Sequence, residues 1–219
     1  MIRFIATLIA VIATTAYAVA SQTTDATKSQ TVVVANTKGN LRAIGAGVII
    51  EKGSGLTIAT VAHTTTFGGT LTVITGDGQT LNVTAVRIIE GHDLAILTTS
   101  VPFGAFRAAT AGTLGPIDTP LHVWGHARAA LFTLSPATVQ DPAPQIPDGP
   151  TNGRFAIRCD TCGVGDSGSG VFDDAGRLVG IVTEGYSDDA GHVTMTVAEP
   201  IAPILAAIAP QSAVATTPR

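Results

Sequence analysis

The segment Gly163-Val164-Gly165-Asp166-Ser167-Gly168-Ser169-Gly170 sets a serine where a nucleophile could work. Glycines on either side of Ser167 permit a tight backbone turn and leave the hydroxyl unobstructed. They also free the amide N–H groups of Gly165 and Ser167 to converge on one point, where a developing oxyanion would sit. A serine hydroxyl alone is a weak nucleophile, so it calls for a base and for a carboxylate that orients the base. Two upstream segments supply candidates. His63 closes the run Thr57-Ile58-Ala59-Thr60-Val61-Ala62-His63, and Asp93 stands in His92-Asp93-Leu94-Ala95-Ile96-Leu97. Acid–base assistance of this kind contributes ~10²–10⁴-fold to a rate, and an oxyanion donor about as much again.

The elements that must position these groups are short and extended. Glycine is abundant (24 of 219 residues), threonine and valine recur, and long runs of helix formers are scarce, a composition that favours an all-β chain with many turns. Strands are predicted over Thr31–Ala35, Ala43–Glu51, Gly55–Val61, Leu71–Thr75, Thr80–Val86 and Leu94–Thr98, with a hairpin signal at Gly76-Asp77-Gly78-Gln79. The strand before His63 delivers it at its end. A stretch rich in proline and glycine from Val101 to Thr119 reads as a linker between two similar halves. Strands then resume over Leu121–Trp124, Leu131–Val139, Phe155–Arg158, Gly170–Phe172, Leu178–Thr183 and Val193–Val197, around an irregular proline-rich loop at 140–153. Glu199-Pro200-Ile201 to Ile208 reads as a closing helix with its proline in the first turn, and 209–219 as a frayed tail. Many short strands with regular turns imply a sandwich or a barrel.

Taken together, in the order His, Asp, Ser, the three segments resemble the trypsin/chymotrypsin-like serine endopeptidases, including their compact bacterial branch. Ala62-His63 is similar to the family's Ala-Ala-His signature, Asp93-Leu94-Ala95-Ile96-Leu97 to its Asp-Ile-Ala-Leu segment, and Gly165-Asp166-Ser167-Gly168 to its Gly-Asp-Ser-Gly. The likeness spans roughly residues 40 to 205. It implies two antiparallel β-barrels, about 31–105 and about 119–208, with His63 and Asp93 from the first, Ser167 from the second, and a short C-terminal helix. It also implies that Thr161 lies at the base of the main side-chain pocket, that Thr183-Glu184-Gly185 pairs with substrate backbone, and that Gly191 and His192 line the far wall. Thr161 stands where a preference for basic side chains would need an aspartate, and Glu184 replaces the usual aromatic residue. A small, polar or apolar side chain is the expected preference. Members activated by cleavage pair the aspartate matching Asp166 with a new N-terminal amine near Ile-Val-Gly-Gly. That sequence is absent here, so Asp166 is expected to find a partner within the chain without an activation step.

Cys159 and Cys162 form a C-x-x-C pair just ahead of the nucleophile segment. In an exported protein they fit a small disulfide loop. A redox motif would lack its usual βαβ context, and a zinc site would need two further ligands. At the N-terminus, Met1-Ile2-Arg3, an apolar run over Phe4–Ala13 and small residues at 16–20 read as a secretory signal peptide over 1–20, with an uncleaved anchor as the alternative. Residues 21–30 read as a flexible lead-in. His92 is expected to face solvent, and His122, His126 and His192 to be structural or rim residues. A net charge of −4 argues against nucleic-acid binding.

The sequence therefore points to a secreted or periplasmic serine endopeptidase acting on protein or peptide substrates through an acyl-enzyme, with no metal or organic cofactor and no stable membrane association after signal cleavage. The alternative from another class is a secreted binding protein that keeps the barrels without catalysis. An esterase elbow is disfavoured, because Gly165-Asp166-Ser167-Gly168-Ser169 breaks the Gly-x-Ser-x-Gly spacing and a strand follows.

Overall fold

A computed structural model describes residues 25–53, 55–100, 102, 106–146 and 153–209. The proposed signal peptide, the end of the tail and the centre of the proline-rich loop lie outside these residues. Six strands form the first barrel: β1 (Thr31–Lys38), β2 (Leu41–Lys52), β3 (Leu56–Thr60), β4 (Thr70–Ile74), β5 (Thr80–Ile89) and β6 (Leu94–Thr99). Six more form the second: β7 (Pro120–Gly125), β8 (Thr133–Asp141), β9 (Phe155–Arg158), β10 (Gly170–Asp173), β11 (Leu178–Ser187) and β12 (Val193–Pro200). Both sheets close, in the orders β1-β2-β3-β6-β5-β4 and β7-β8-β9-β12-β11-β10, and all of these pairings are antiparallel. The second barrel thus repeats the strand order of the first, and closure leaves neither sheet with a free edge.

Alternating side chains fill the two interiors. Val32, Val34, Ile49, Leu56, Ile58, Val73 and Leu97 pack inside the first barrel; Leu121, Val139, Phe155, Ile157, Val171 and Ala198 pack inside the second. A third cluster joins the barrels, with Val48, Val61 and Leu94 from one meeting Trp124, Phe172 and Ile181 from the other. The C-terminal helix contributes the fully buried Ile204 to this layer.

Three elements differ from the sequence expectation. Residues 25–30, read as part of a flexible lead-in, form a helix (α1) in which Thr27 and Gln30 are buried. The strand ahead of His63 stops at Thr60, and His63 lies on a single helical turn, α2 (Ala62–Thr65). At the other end, Glu199 and Pro200 remain in β12, where they pair with Ile181 and Gly180. The closing helix α3 (Ala202–Ile208) starts later, with Pro203 in its first turn. An acid followed by proline is a helix-start signal, but here the ladder to β11 outweighs it.

Candidate active site

His63 and Asp93 meet where α2 packs beside the turn between β5 and β6. His63 Nδ1 lies 2.6 Å from Asp93 Oδ2, while the His63 backbone N–H donates to Asp93 Oδ1 at 2.9 Å. The Ala62 N–H donates to the Asp93 carbonyl at 3.2 Å, so ring and backbone are fixed to the same aspartate. This contact assigns the Nδ1–H tautomer and leaves Nε2 of the neutral ring as a base. Asp93 holds the His63 pKa above its ordinary value. The hydrogen bond is the largest cause, burial works against it, and the negative charges of Asp93 and Glu184 add to it.

The α2 turn is itself held by Asn36, a buried residue of β1 that sequence reasoning did not single out. Its side-chain amide donates to the carbonyls of Thr64 and Thr65, both at 3.0 Å, and its Oδ1 accepts the Gly69 N–H at 2.9 Å. A buried asparagine that satisfies the end of a one-turn helix carries no local sequence signal.

Ser167 sits in the turn between β9 and β10. Its carbonyl accepts the Ala46 N–H of β2 at 2.7 Å, and the Gly168 N–H donates to the Val182 carbonyl at 2.8 Å. The chain here passes so close to the first barrel that only glycine suits position 168. Its φ is +88°, and a Cβ would stand 2.0 Å from the Ala46 carbonyl oxygen. From 165 to 169, the N–H groups of Asp166, Gly168 and Ser169 are taken by the carbonyls of Gly163, Val182 and Asp166. Among the described residues, those of Gly165 and Ser167 have no acceptor, as an oxyanion site requires.

Asp166 has its partners within the chain. Its buried carboxylate accepts the Gly163 N–H at 2.9 Å through Oδ2, and the His126 N–H and Ser169 hydroxyl, both at 3.1 Å, through Oδ1. Burial raises its pKa, and these hydrogen bonds oppose the rise. His126 is structural, as expected of it. Fully buried, it lies 3.1 Å through Nε2 from the Val32 carbonyl of the first barrel and accepts the Phe132 N–H at Nδ1. Burial lowers its pKa.

His63, Gly165, Asp166 and Ser167 line one open cleft of about 670 Å³, whose walls include Thr183, Glu184, Gly185, Cys162, Val182 and Val193. No hydrogen bond joins Ser167 Oγ to His63 among the described residues; the two side chains share the cleft. Cys159 and Cys162 are disulfide-bonded, with Cα atoms 5.4 Å apart. Closing this small loop turns both sulfurs inward and leaves Asp160 and Thr161 exposed. Thr161 therefore does not line the cleft, and Cys162 occupies the wall instead. Gly191 and His192 also lie off the cleft, in an exposed turn where His192 contacts Asp188 at 3.1 Å. His122 likewise pairs at the surface with Asp174. His92 departs from expectation: rather than facing solvent it bonds through Nδ1 to the buried Glu199 at 2.7 Å. A buried carboxylate from β12, more than a hundred residues away, attracts it there.

A family profile described as a trypsin-like peptidase domain matches residues 45–181, over half of the chain. The chain belongs to the trypsin-like peptidase family. Solved structures share this fold. The HtrA-type protease AlgW with a tripeptide matches at TM-score 0.69 and 21% identity, over 85% of this chain and 61% of that one. The Rv3671c protease of M. tuberculosis in its active form matches at 0.69 and 23%, over 87% and 85%. The serine endoprotease from Yersinia pestis matches at 0.68 and 18%, over 85% and 64%. The chain thus spans about three fifths of the length of the HtrA-type protease. No curated protein sequence matches it. Among the described residues, no helix is long and apolar enough to cross a membrane.

Proposed function

We propose that this family member is an exported serine endopeptidase, secreted or periplasmic, that cleaves protein or peptide substrates through an acyl-enzyme. The observation that carries the reading is the contact of His63 with Asp93 at 2.6 Å, with His63 lining the same cleft as Ser167 and Gly165, whose N–H groups have no acceptor among the described residues. Ser167 Oγ attacks the scissile carbonyl while His63 Nε2 takes its proton. Asp93 stabilises the imidazolium that forms, and the N–H groups of Gly165 and Ser167 receive the carbonyl oxygen as it becomes negative. His63 then passes the proton to the leaving amine, and water enters by the same route to release the acyl group. The AlgW structure contains a tripeptide, which supports a peptide substrate here. Thr183, Glu184 and Gly185 form the cleft edge where substrate backbone would pair. Cys162, Val182 and Val193 on its walls favour a small or apolar side chain. β1, bonded to β2 and β4 along its length, is built into the barrel, which supports activity without cleavage near residues 30–35.

Labelling of the purified protein by a fluorophosphonate probe tests this. Wild type is expected to be labelled, and Ser167→Ala and His63→Ala to lose the label. A folded wild type that stayed unlabelled would return the chain to the class of binding proteins on a protease fold.

A further inference from the structure

A buried ionic network runs from the second barrel to the triad's aspartate. Glu199 of β12 is 1% exposed and Arg154, just before β9, is 6% exposed. Glu199 Oε1 accepts Arg154 Nε at 3.1 Å and Nη2 at 3.0 Å, and also accepts the backbone N–H of Asp93 at 3.1 Å. Its other oxygen, Oε2, holds His92 Nδ1 at 2.7 Å. Arg154 continues outward: Nη1 donates to Glu184 Oε1 at 2.9 Å, and Glu184 Oε2 accepts the Tyr186 hydroxyl at 2.7 Å. Glu184 lines the substrate cleft. One carboxylate of the second barrel therefore grips two consecutive residues of the first, and one arginine ties that grip to the cleft wall.

Stability alone is a poor reason for such an arrangement. Desolvating a buried ion pair costs about as much as its attraction returns, and well-packed apolar residues commonly do as well. Geometry supplies a better reason. Asp93 is bonded to the first barrel through its carboxylate and its carbonyl, both turned toward α2. Its N–H is held by Glu199 alone among the described residues, and that bond sets the turn from the opposite side.

We infer that Glu199 is a positioning residue of the proposed triad: it fixes the His92–Asp93 turn so that the Asp93 carboxylate meets His63, and Arg154 links that fixation to Glu184 at the substrate cleft. The inference deepens the protease reading and rests on it for its catalytic meaning. The juxtaposition it predicts is nevertheless measurable without turnover.

The test is the titration of His63, followed by NMR on protein labelled with ¹³C-histidine, in wild type, Glu199→Gln, Asp93→Asn and Val139→Ala. The charged groups facing His63 are Asp93 and Glu184, and both remain in Glu199→Gln. In that variant His63 is expected to titrate lower than in wild type, moving toward Asp93→Asn. Val139→Ala, deep in the second barrel, should lower stability and leave the titration unchanged. Should Glu199→Gln fail to fold, His92→Ala removes the Oε2 contact near the surface and is read in the same way. Turnover adds a second readout: a roughly tenfold fall in kcat for Glu199→Gln with KM nearly constant, the split of a group acting on the transition state. If His63 titrates in the folded Glu199→Gln variant as it does in wild type, the inference is overturned. Failure of the probe to label wild type would instead overturn the protease reading, with the titration outcome standing by itself.

Discussion

The two barrels share one strand order but hold the groups proposed to react by opposite means. In the first, His63 and Asp93 are tied by side-chain contacts: ring to carboxylate, carboxylate to backbone, and Asn36 beneath the α2 turn. In the second, Ser167 is placed almost wholly by backbone, through the Ala46 and Val182 bonds and a glycine turn folded over the buried Asp166. An acid–base pair needs one orientation of two side chains, which polar side-chain contacts supply. A nucleophile with its oxyanion donors needs a main-chain shape, which glycines and a buried acceptor supply. Equal topology therefore does not dictate equal construction; the chemistry asked of each turn does.

The sharpest way to break the first barrel's construction is Asp93→Asn. The amide can present an N–H to His63 Nδ1 and stabilise the wrong tautomer, so hydrolysis should fall about 10³–10⁴-fold while the fold persists, as kcat on a peptide substrate will show. The surviving activity should also have a different acid limb. His63 must be neutral to act as a base, so activity rises with pH through its raised pKa, and removing the raising charge moves that limb to lower pH. In the second barrel the equivalent blow falls on the main chain. Gly168→Ala sets a methyl against the Ala46 carbonyl at positive φ, and should cost about 1–3 kcal/mol in strain before any clash is relieved, read from denaturant unfolding. It should also separate Ser167 from its amides and slow probe labelling.

Asn36→Ala should cost a comparable or smaller amount, about 1–3 kcal/mol, because it strips the Thr64 and Thr65 carbonyls and the Gly69 N–H of their partners inside the protein. Its effect on rate should fall on kcat, since it loosens the turn that carries His63. The smallest effect concerns Asp166. Burial raises its pKa above the ordinary aspartate value of 3.8, so the unfolded chain releases this proton first as pH rises. Stability from this group is thus fully present below 3.8 and declines as pH climbs through the raised folded pKa. Asp166→Asn should flatten the pH dependence of unfolding in that window, and Asp93→Asn, whose carboxyl lies in the other barrel, should leave this contribution intact.

Much of this architecture is legible in the chain because its signals are local. Alternating Val, Ile and Thr with glycine turns mark strands, and a serine among glycines marks a candidate nucleophile turn. The triad candidates are legible for the same reason, each carrying its own short signature. Glu199, Arg154 and Asn36 are not: each is a single polar residue whose partners lie far away in sequence, and nothing beside it announces them. His92 reads as a surface residue on the same ground, because the carboxylate that draws it inward is supplied by β12. Thr161 shows a further limit. The family resemblance implies that it lies at the pocket base, but the disulfide loop turns Cys162 inward and Thr161 out.

Two sheets that each close upon themselves divide the proposed chemistry between them. The first barrel holds the proposed base and its aspartate but not the proposed nucleophile; the second brings that nucleophile with no base of its own. Only docking, through the Ala46–Ser167 bond and the grip of Glu199 on the His92–Asp93 turn, brings the halves of the proposed chemistry together. On the proposed reading, then, hydrolytic power belongs to neither barrel alone and arises only at their junction.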